Sequence, residues 1–283
     1  MDVWYKLVEF ILPFEWAGSN GTMFMKNALL AIILVAPIFG LISTMVVNNR
    51  MAFFSDALGH GAFTGVALGA ILGFIQPLWC AILFSIAFSL VITTIKYKSK
   101  MAPDTIIGVF SSIAVALGIF ISTAGGRSFT KLNAFLVGDI LSISPSEILL
   151  LVAVLVVVLL MWIFIFNKLL LVTINQSLAQ SRAIPTFLIE AIFTATIAIV
   201  VTISMSWIGL LVINSFLVLP AAASRNITSN IRQYHLFTVL LSLASGIGGL
   251  ICSYYWGTST GATIVLISGL FFFVTFAFRG RQN

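Results

Sequence analysis

Apolar residues run almost unbroken along the chain, in stretches that end at small groups of Lys, Arg, Gly and Pro. The stretches lie at about residues 25–48, 52–73, 77–95, 104–123, 147–167, 186–205, 207–222, 234–255 and 261–278. Most reach the roughly 20 residues needed to cross a hydrocarbon layer. Inside such a stretch only a helix satisfies its own backbone groups; a barrel would show alternating segments of about ten residues. The pattern predicts an all-α polytopic membrane protein of eight or nine transmembrane helices. The number turns on 207–222, which is short and ends at Pro220. If it half-crosses, the count falls to eight and one terminus changes side. Residues 132–142, LNAFLVGDILS, are too short and too polar to span, and predict a re-entrant segment.

The first residues read differently. MDVWYKLVEFILPFEWAG mixes Trp, Tyr and Phe with charges. It lacks the basic start and unbroken apolar core of a signal peptide, and fits a helix lying in the membrane interface. Residues 1–20 are therefore expected as an interfacial segment and 21–283 as one transmembrane domain. Composition agrees: 60% of the 283 residues are hydrophobic and 8% charged, against about 25% charged in a soluble domain. Membrane lipid is the solvent of such a chain.

The net charge of +6 suggests basic cytoplasmic loops, not nucleic acid. Arg50, then Lys96, Lys98 and Lys100, then Lys168 and Arg182, then Arg225 and Arg232, then Arg279 and Arg281 fall on alternate connections. Placing these inside puts the N-terminus outside and the C-terminus inside. Arg127 and Lys131 break the alternation. Cys80 and Cys252 share no ligand spacing and read as small buried hydrophobes. No G-x-x-x-x-G-K-[ST] sequence is present, so any ATP used must be bound by another chain.

One apolar stretch carries chemistry. SDALGHGAFTGVALGAILG, residues 55–73, holds Asp56 and His60. Four residues apart, they share a helix face. Counting a helix from Arg50, at about 1.5 Å per residue, puts His60 roughly 15 Å deep, near mid-membrane. An ionisable group there is costly unless it faces protein or a water-filled path, and marks a candidate site. Carboxylate and imidazole offer one oxygen and one nitrogen, a pairing suited to zinc, manganese or ferrous iron. Two ligands complete no shell, whereas two copies of the chain would bring two Asp and two His, a first hint of a homodimer. The other reading is a capping Asp and a hydrogen-bonded His that fasten helices. Ser55 and Thr64 flank the pair on the same helix as pathway candidates. Ala57, Gly61, Gly65, Gly69 and Gly73 recur every fourth residue, a stripe that lets a neighbouring backbone come close.

The other polar positions keep two readings each. Asp104 follows Pro103 and suits a helix start. Asp139 either lines a water-filled path or caps a turn. Glu190 lies one turn into the helix that Pro185 opens, with a structural role or a proton or ion role. His235 suits an interface, Asn214 a bond between helices, and Gly246, Gly248 and Gly249 packing.

With these residues in view, the chain resembles the ABC-3 permease family, the membrane subunits of zinc or manganese ABC importers. SDALGHGAFTGVALG (55–69) is similar to the family's S-D-x-x-x-H motif. APDTIIGVFSSIAVALGI (102–119) is similar to its D-T-x-I-G pattern, and LVGDILSISPSEI (136–148) to its F-G-D-I-L-x-V segment. WIGLLVINSFLVLPAAASR (207–225) resembles its V-G-x-L-L … P-A-A-x-A-R signature, and GATIVLISGLFFF (261–273) its G-A-x-I-V-L helix. Each motif is modestly specific; their order along residues 25–278 is strong.

The resemblance implies a type II ABC importer permease fold and a homodimer. It also implies a cytoplasmic ABC ATPase dimer and an extracytoplasmic metal-binding protein as partners, in the bacterial inner membrane. It implies no resident cofactor: the divalent metal is cargo, zinc first, with manganese or iron as alternatives, and ATP sits on the partner. Asp56 and His60 match the positions lining the family's metal path. Residues 168–184 match its ATPase-coupling segment, here with Asn175, Gln176, Leu178, Ala179 and Ala183. The family often has Asp-Glu where Asn175 and Gln176 stand, Gly near Ala183, and Pro where Ser259 stands. Two rival readings remain open: a self-sufficient proton-coupled metal carrier using Glu190 or Asp139, and an ABC permease for a metal chelate.

Overall fold

The structure, a computed structural model, describes residues 2–11, 14–18, 22–73, 76–99, 101–124 and 138–279. Every regular element among the described residues is helical. The α-helices are α1 (Asp2–Ile11), α2 (Met23–Asn48), α3 (Phe54–Leu72), α4 (Pro77–Lys98), α5 (Pro103–Ala124) and α6 (Pro145–Ile174). They continue with α7 (Gln176–Ser181), α8 (Thr186–Ile208), α9 (Leu210–Ile227), α10 (Ile231–Trp256) and α11 (Thr260–Arg279). Short 3-10 turns stand at Glu15–Ala17 and Ile140–Ser142.

All nine apolar stretches thus form helices. Eight of them, α2, α4, α5, α6 and α8 to α11, are long and apolar enough to cross a membrane. The exception is α3: it has 19 residues, but Asp56, His60 and four glycines dilute its apolar content. It compensates by position, packed against α4, α5, α8 and α9. Lipid-facing work falls to others: Ile163 and Phe164 on α6 and Leu266 and Phe273 on α11 turn outward and stay exposed.

Two boundaries differ from the sequence reading. The helix expected at 147–167 runs to Ile174. The stretch expected to end at Pro220 instead starts after Gly209 and runs through Pro220 to Ile227. Pro220 is buried, and neighbouring helices enclose the backbone group that it leaves free, as membrane helices allow. The real interruption is Gly209, at φ +84 and ψ 147, which L side chains rarely adopt. Gly138 backs directly onto it: a Cβ on Gly138 would strike the Gly209 backbone. The re-entrant prediction falls largely on 132–137, which with Arg127 and Lys131 lies outside the described residues.

Three of the basic connections gather at one end of the bundle. Thr173 Oγ1 donates to Asn49 Oδ1 at 3.3 Å, Lys96 Nζ reaches Met51 Sδ at 3.8 Å, and Lys96 pairs with Glu190 at 3.6 Å. This unites the α2–α3, α4–α5 and α6–α8 connections, as the charge pattern predicts. At the other end α1 docks on the head of α2: Trp4 Nε1 donates to the Lys26 carbonyl at 2.9 Å and Tyr5 Oη to Asn27 Oδ1 at 2.8 Å.

Candidate functional site

The connection before α3 is a turn, not helix. Arg50 takes φ +55, Met51 N donates to Val46 O and Phe54 N to Met51 O. Helical rise therefore starts at Phe54, and His60 lies about 9 Å along α3, not the 15 Å counted from Arg50. Asp56 falls in the first turn, where the free N–H groups of the helix favour a carboxylate. His60 Nε2 lies 3.5 Å from Asp56 Oδ2, with the side chains 25% and 39% exposed. That gap is wider than the 2.7–3.2 Å of an N–H···O hydrogen bond. Two ligands of one tetrahedral ion, each bound at about 2.05 Å, stand about 3.4 Å apart.

The flanking candidates are placed differently. Ser55 is buried and its hydroxyl meets no partner among the described residues. Thr64 is fully buried and donates to the Ala114 carbonyl of α5 at 2.7 Å while touching the His60 carbonyl at 3.1 Å. It fastens α3 to α5 and fixes the turn carrying His60. The glycine stripe faces α4. A Cβ on Gly65 would meet Ala81 Cα at 2.6 Å, and one on Gly69 would meet Cys80 Cβ at 2.8 Å. Cys80 is thus a packing residue, and both cysteines are free.

A third side chain completes the cluster. Asn214, on α9, donates from Nδ2 to Asp56 Oδ1 at 3.2 Å. With Ala52, Phe53, Val218 and Leu219 the two line a cavity of about 420 Å³. Between Asn214 and the Gly209 break, Leu210 presses on Gly59, where a Cβ would clash with it. The sequence marks Asn214 as a polar residue in an apolar run and suggests an interhelical bond, but not that its partner is Asp56.

The remaining candidates lie apart. Asp139 is exposed, and Oδ1 accepts from Leu141 N at 3.0 Å, capping the 3-10 turn. It also lines a cavity of about 520 Å³ with Gly138, Leu211, Val212, Thr258, Ser259 and Gly261. The capping reading is the one the hydrogen bond supports. Glu190 is engaged by Lys96. Asp104 is exposed in the first turn of α5. The His235 ring sits edge-on to Trp162 and Phe166, at 5.4 and 5.1 Å between centroids.

Residues 168–184 comprise the end of α6, the six-residue α7 and a turn. Asn175 caps α7, its Oδ1 accepting from Leu178 N at 3.0 Å. Gln176 opens that helix, Leu178 is exposed and Ala179 is fully buried. Ala183 takes φ +56, the left-handed conformation that favours glycine. An open cavity of about 430 Å³ adjoins it, lined by Tyr97, Gln180, Ala183, Pro185 and Phe187 among others.

Ionisable and amide groups held together inside a lipid-facing bundle, beside an open cavity, mark a candidate functional site of a membrane protein. The chain belongs to the ABC 3 transport family, whose model matches residues 22–279. It is 30% identical over 266 residues to the manganese import system permease protein ScaB of Streptococcus gordonii, covering 94% of this chain and 95% of that one. It is 28% identical over 254 residues to the high-affinity zinc uptake system membrane protein ZnuB of Haemophilus influenzae, covering 90% and 97%. Among solved structures it resembles PsaBC from Streptococcus pneumoniae in complex with Fab, at TM-score 0.76 and 26% identity over 98% of this chain and 95% of that one. The chain is an integral protein of the inner membrane and the transport subunit of its system, with ATP hydrolysis on a separate subunit.

Proposed function

We propose that this chain imports a divalent transition-metal ion, zinc or manganese, as a homodimer driven by a cytoplasmic ATPase dimer and supplied by an extracytoplasmic metal-binding protein. The carrying observation is the Asp56–His60 pair, a carboxylate oxygen and an imidazole nitrogen 3.5 Å apart on one face of a helix inside the bundle. No cluster of three or more His, Cys, Asp or Glu exists among the described residues. Both side chains keep an open side, as a site shared between two protomers requires. The names of ScaB and ZnuB support both metals.

In this reading the ion passes between protomers and meets Asp56 and His60 of each. The 168–184 segment rests on the ATPase, with Leu178 and the open cavity beside Gln180 and Ala183 as contact surface, while residues 1–20 lie in the interface. ATP binding and hydrolysis shift that segment, and α6 and α8, which flank it, carry the motion into the bundle. A proton-coupled carrier has less to draw on: Glu190 is held by Lys96 and Asp139 caps a turn.

The test is uptake of zinc and manganese into vesicles holding the chain with its ATPase and metal-binding protein. His60→Ala is expected to abolish ATP-dependent uptake of the cargo ion. Uptake without ATP would instead support the proton-coupled carrier, and uptake indifferent to His60→Ala would remove that residue from the path.

A further inference from the structure

Asn214 stands 158 residues from Asp56 in sequence and has a half-used side chain. Its donor end is engaged: Nδ2 donates to Asp56 Oδ1 at 3.2 Å. Its acceptor end is not: Oδ1 is buried and has no hydrogen-bond partner among the described residues. The amide cannot simply be turned round, because its carbonyl oxygen would then face a carboxylate oxygen with no proton between them. A buried acceptor left without a donor is costly. It belongs to the side chain that, with Asp56, lines the cavity of about 420 Å³, and a cation taken up beside Asp56 would supply what it lacks.

We infer that Asn214 is a specificity-determining ligand of the transported ion, its amide oxygen acting as a hard neutral donor beside Asp56 and His60. The inference rests on the reading of Asp56 and His60 as the cargo site, and deepens it. Asp and His from two protomers give four donors, two nitrogen and two oxygen, a shell that suits tetrahedral zinc. Adding Asn214 from each gives six donors, four of them oxygen. Oxygen-rich six-fold coordination suits manganese. Zinc satisfied by four ligands gains little from the extra pair. Asn214 therefore raises the acceptance of manganese relative to zinc. Its hydrogen bond also leaves Asp56 Oδ2 on the His60 side, orienting the carboxylate as an outer partner orients a ligand.

The experiment is competitive uptake of manganese and zinc into vesicles holding the full system. Asn214→Leu removes the oxygen and is expected to lower the manganese-to-zinc uptake ratio by about tenfold or more, in the range by which such partners alter metal affinity. Asn214→Ser, which disturbs packing less and whose hydroxyl is too short to reach, is expected to shift the ratio the same way. Asn214→Asp keeps an oxygen donor and is expected to hold the unsubstituted manganese-to-zinc ratio. An unchanged ratio in the Leu and Ser variants, or equal loss of both metals, makes Asn214 a helix fastener and overturns the inference. Asp56→Ala separates the two levels. If it leaves uptake of both metals intact, the site reading itself fails. If it stops uptake while the Asn214 variants keep the unsubstituted ratio, the role of Asn214 alone fails.

Discussion

Lys96 and Glu190 show what a single pair contributes. Their side chains are only 17% and 14% exposed, so removing one partner leaves the other charge poorly solvated. Lys96→Met is expected to destabilise the subunit by about 1–3 kcal/mol, read as thermal unfolding in detergent. Adding Glu190→Gln is expected to recover most of that loss; no recovery would mean that Lys96 acts through Met51 instead. The residue scale is also where the sequence is most uneven. Asp56 and His60 stand out because ionisable groups are rare in apolar runs. Asn214 stands out less, and its link to Asp56 is invisible along the chain, since only folding brings α3 and α9 together. The turn at 49–53 is hidden for another reason: Arg50 adopts a left-handed φ that nothing in its residue type announces.

At the scale of elements, the contact of α3 with α4 is set by the glycine stripe. Gly65→Ala would drive a methyl group to 2.6 Å from Ala81 Cα. A backbone atom cannot step aside as a rotamer can, so about 1–3 kcal/mol of destabilisation is expected, with lost transport because α3 carries Asp56 and His60, the proposed ligands. Gly108→Ala is the matched control: nothing lies within 4 Å of its Cβ position, and about 0.5–1 kcal/mol of stabilisation is expected from helix propensity. Melting curves of the two variants that moved together would refute the packing argument. Helix existence was legible throughout, because about 20 apolar residues have one stable form in lipid. Helix ends were not. Pro220 reads as a stop in isolation, yet α9 passes through it because the surrounding helices enclose the break. Gly209, which does stop a helix, is one glycine among many until its φ is known.

For the whole molecule, charge and chemistry combine into one pH dependence. An ion bound by Asp56 and His60 needs the carboxylate ionised and the imidazole neutral, so protons compete with metal. Binding to the assembled transporter is expected to weaken steadily as the medium is acidified from neutrality, with proton release on metal addition in weakly buffered solution. Metal binding that stays flat across the acid range would remove the imidazole from the ligand set. The overall architecture was readable from the alternation of basic connections, three of which the structure gathers at one end through Asn49, Lys96 and Glu190. The proposed pairing of two copies was readable only as an incompleteness: two candidate ligands where an ion needs four or more.

The low apolar content of α3 bears on how the protein is made. A segment that holds Asp56, His60 and four glycines has little tendency to partition into lipid when it leaves the insertion machinery alone. Its neighbours do: α2 before it and α4 after it are both apolar enough to span. The stripe that lets α4 lie against α3 thus gives the newly made chain a way to carry its least lipid-soluble segment inward, as one arm of a hairpin. Substitutions along that stripe would then lower the yield of inserted protein before any ion is offered to it.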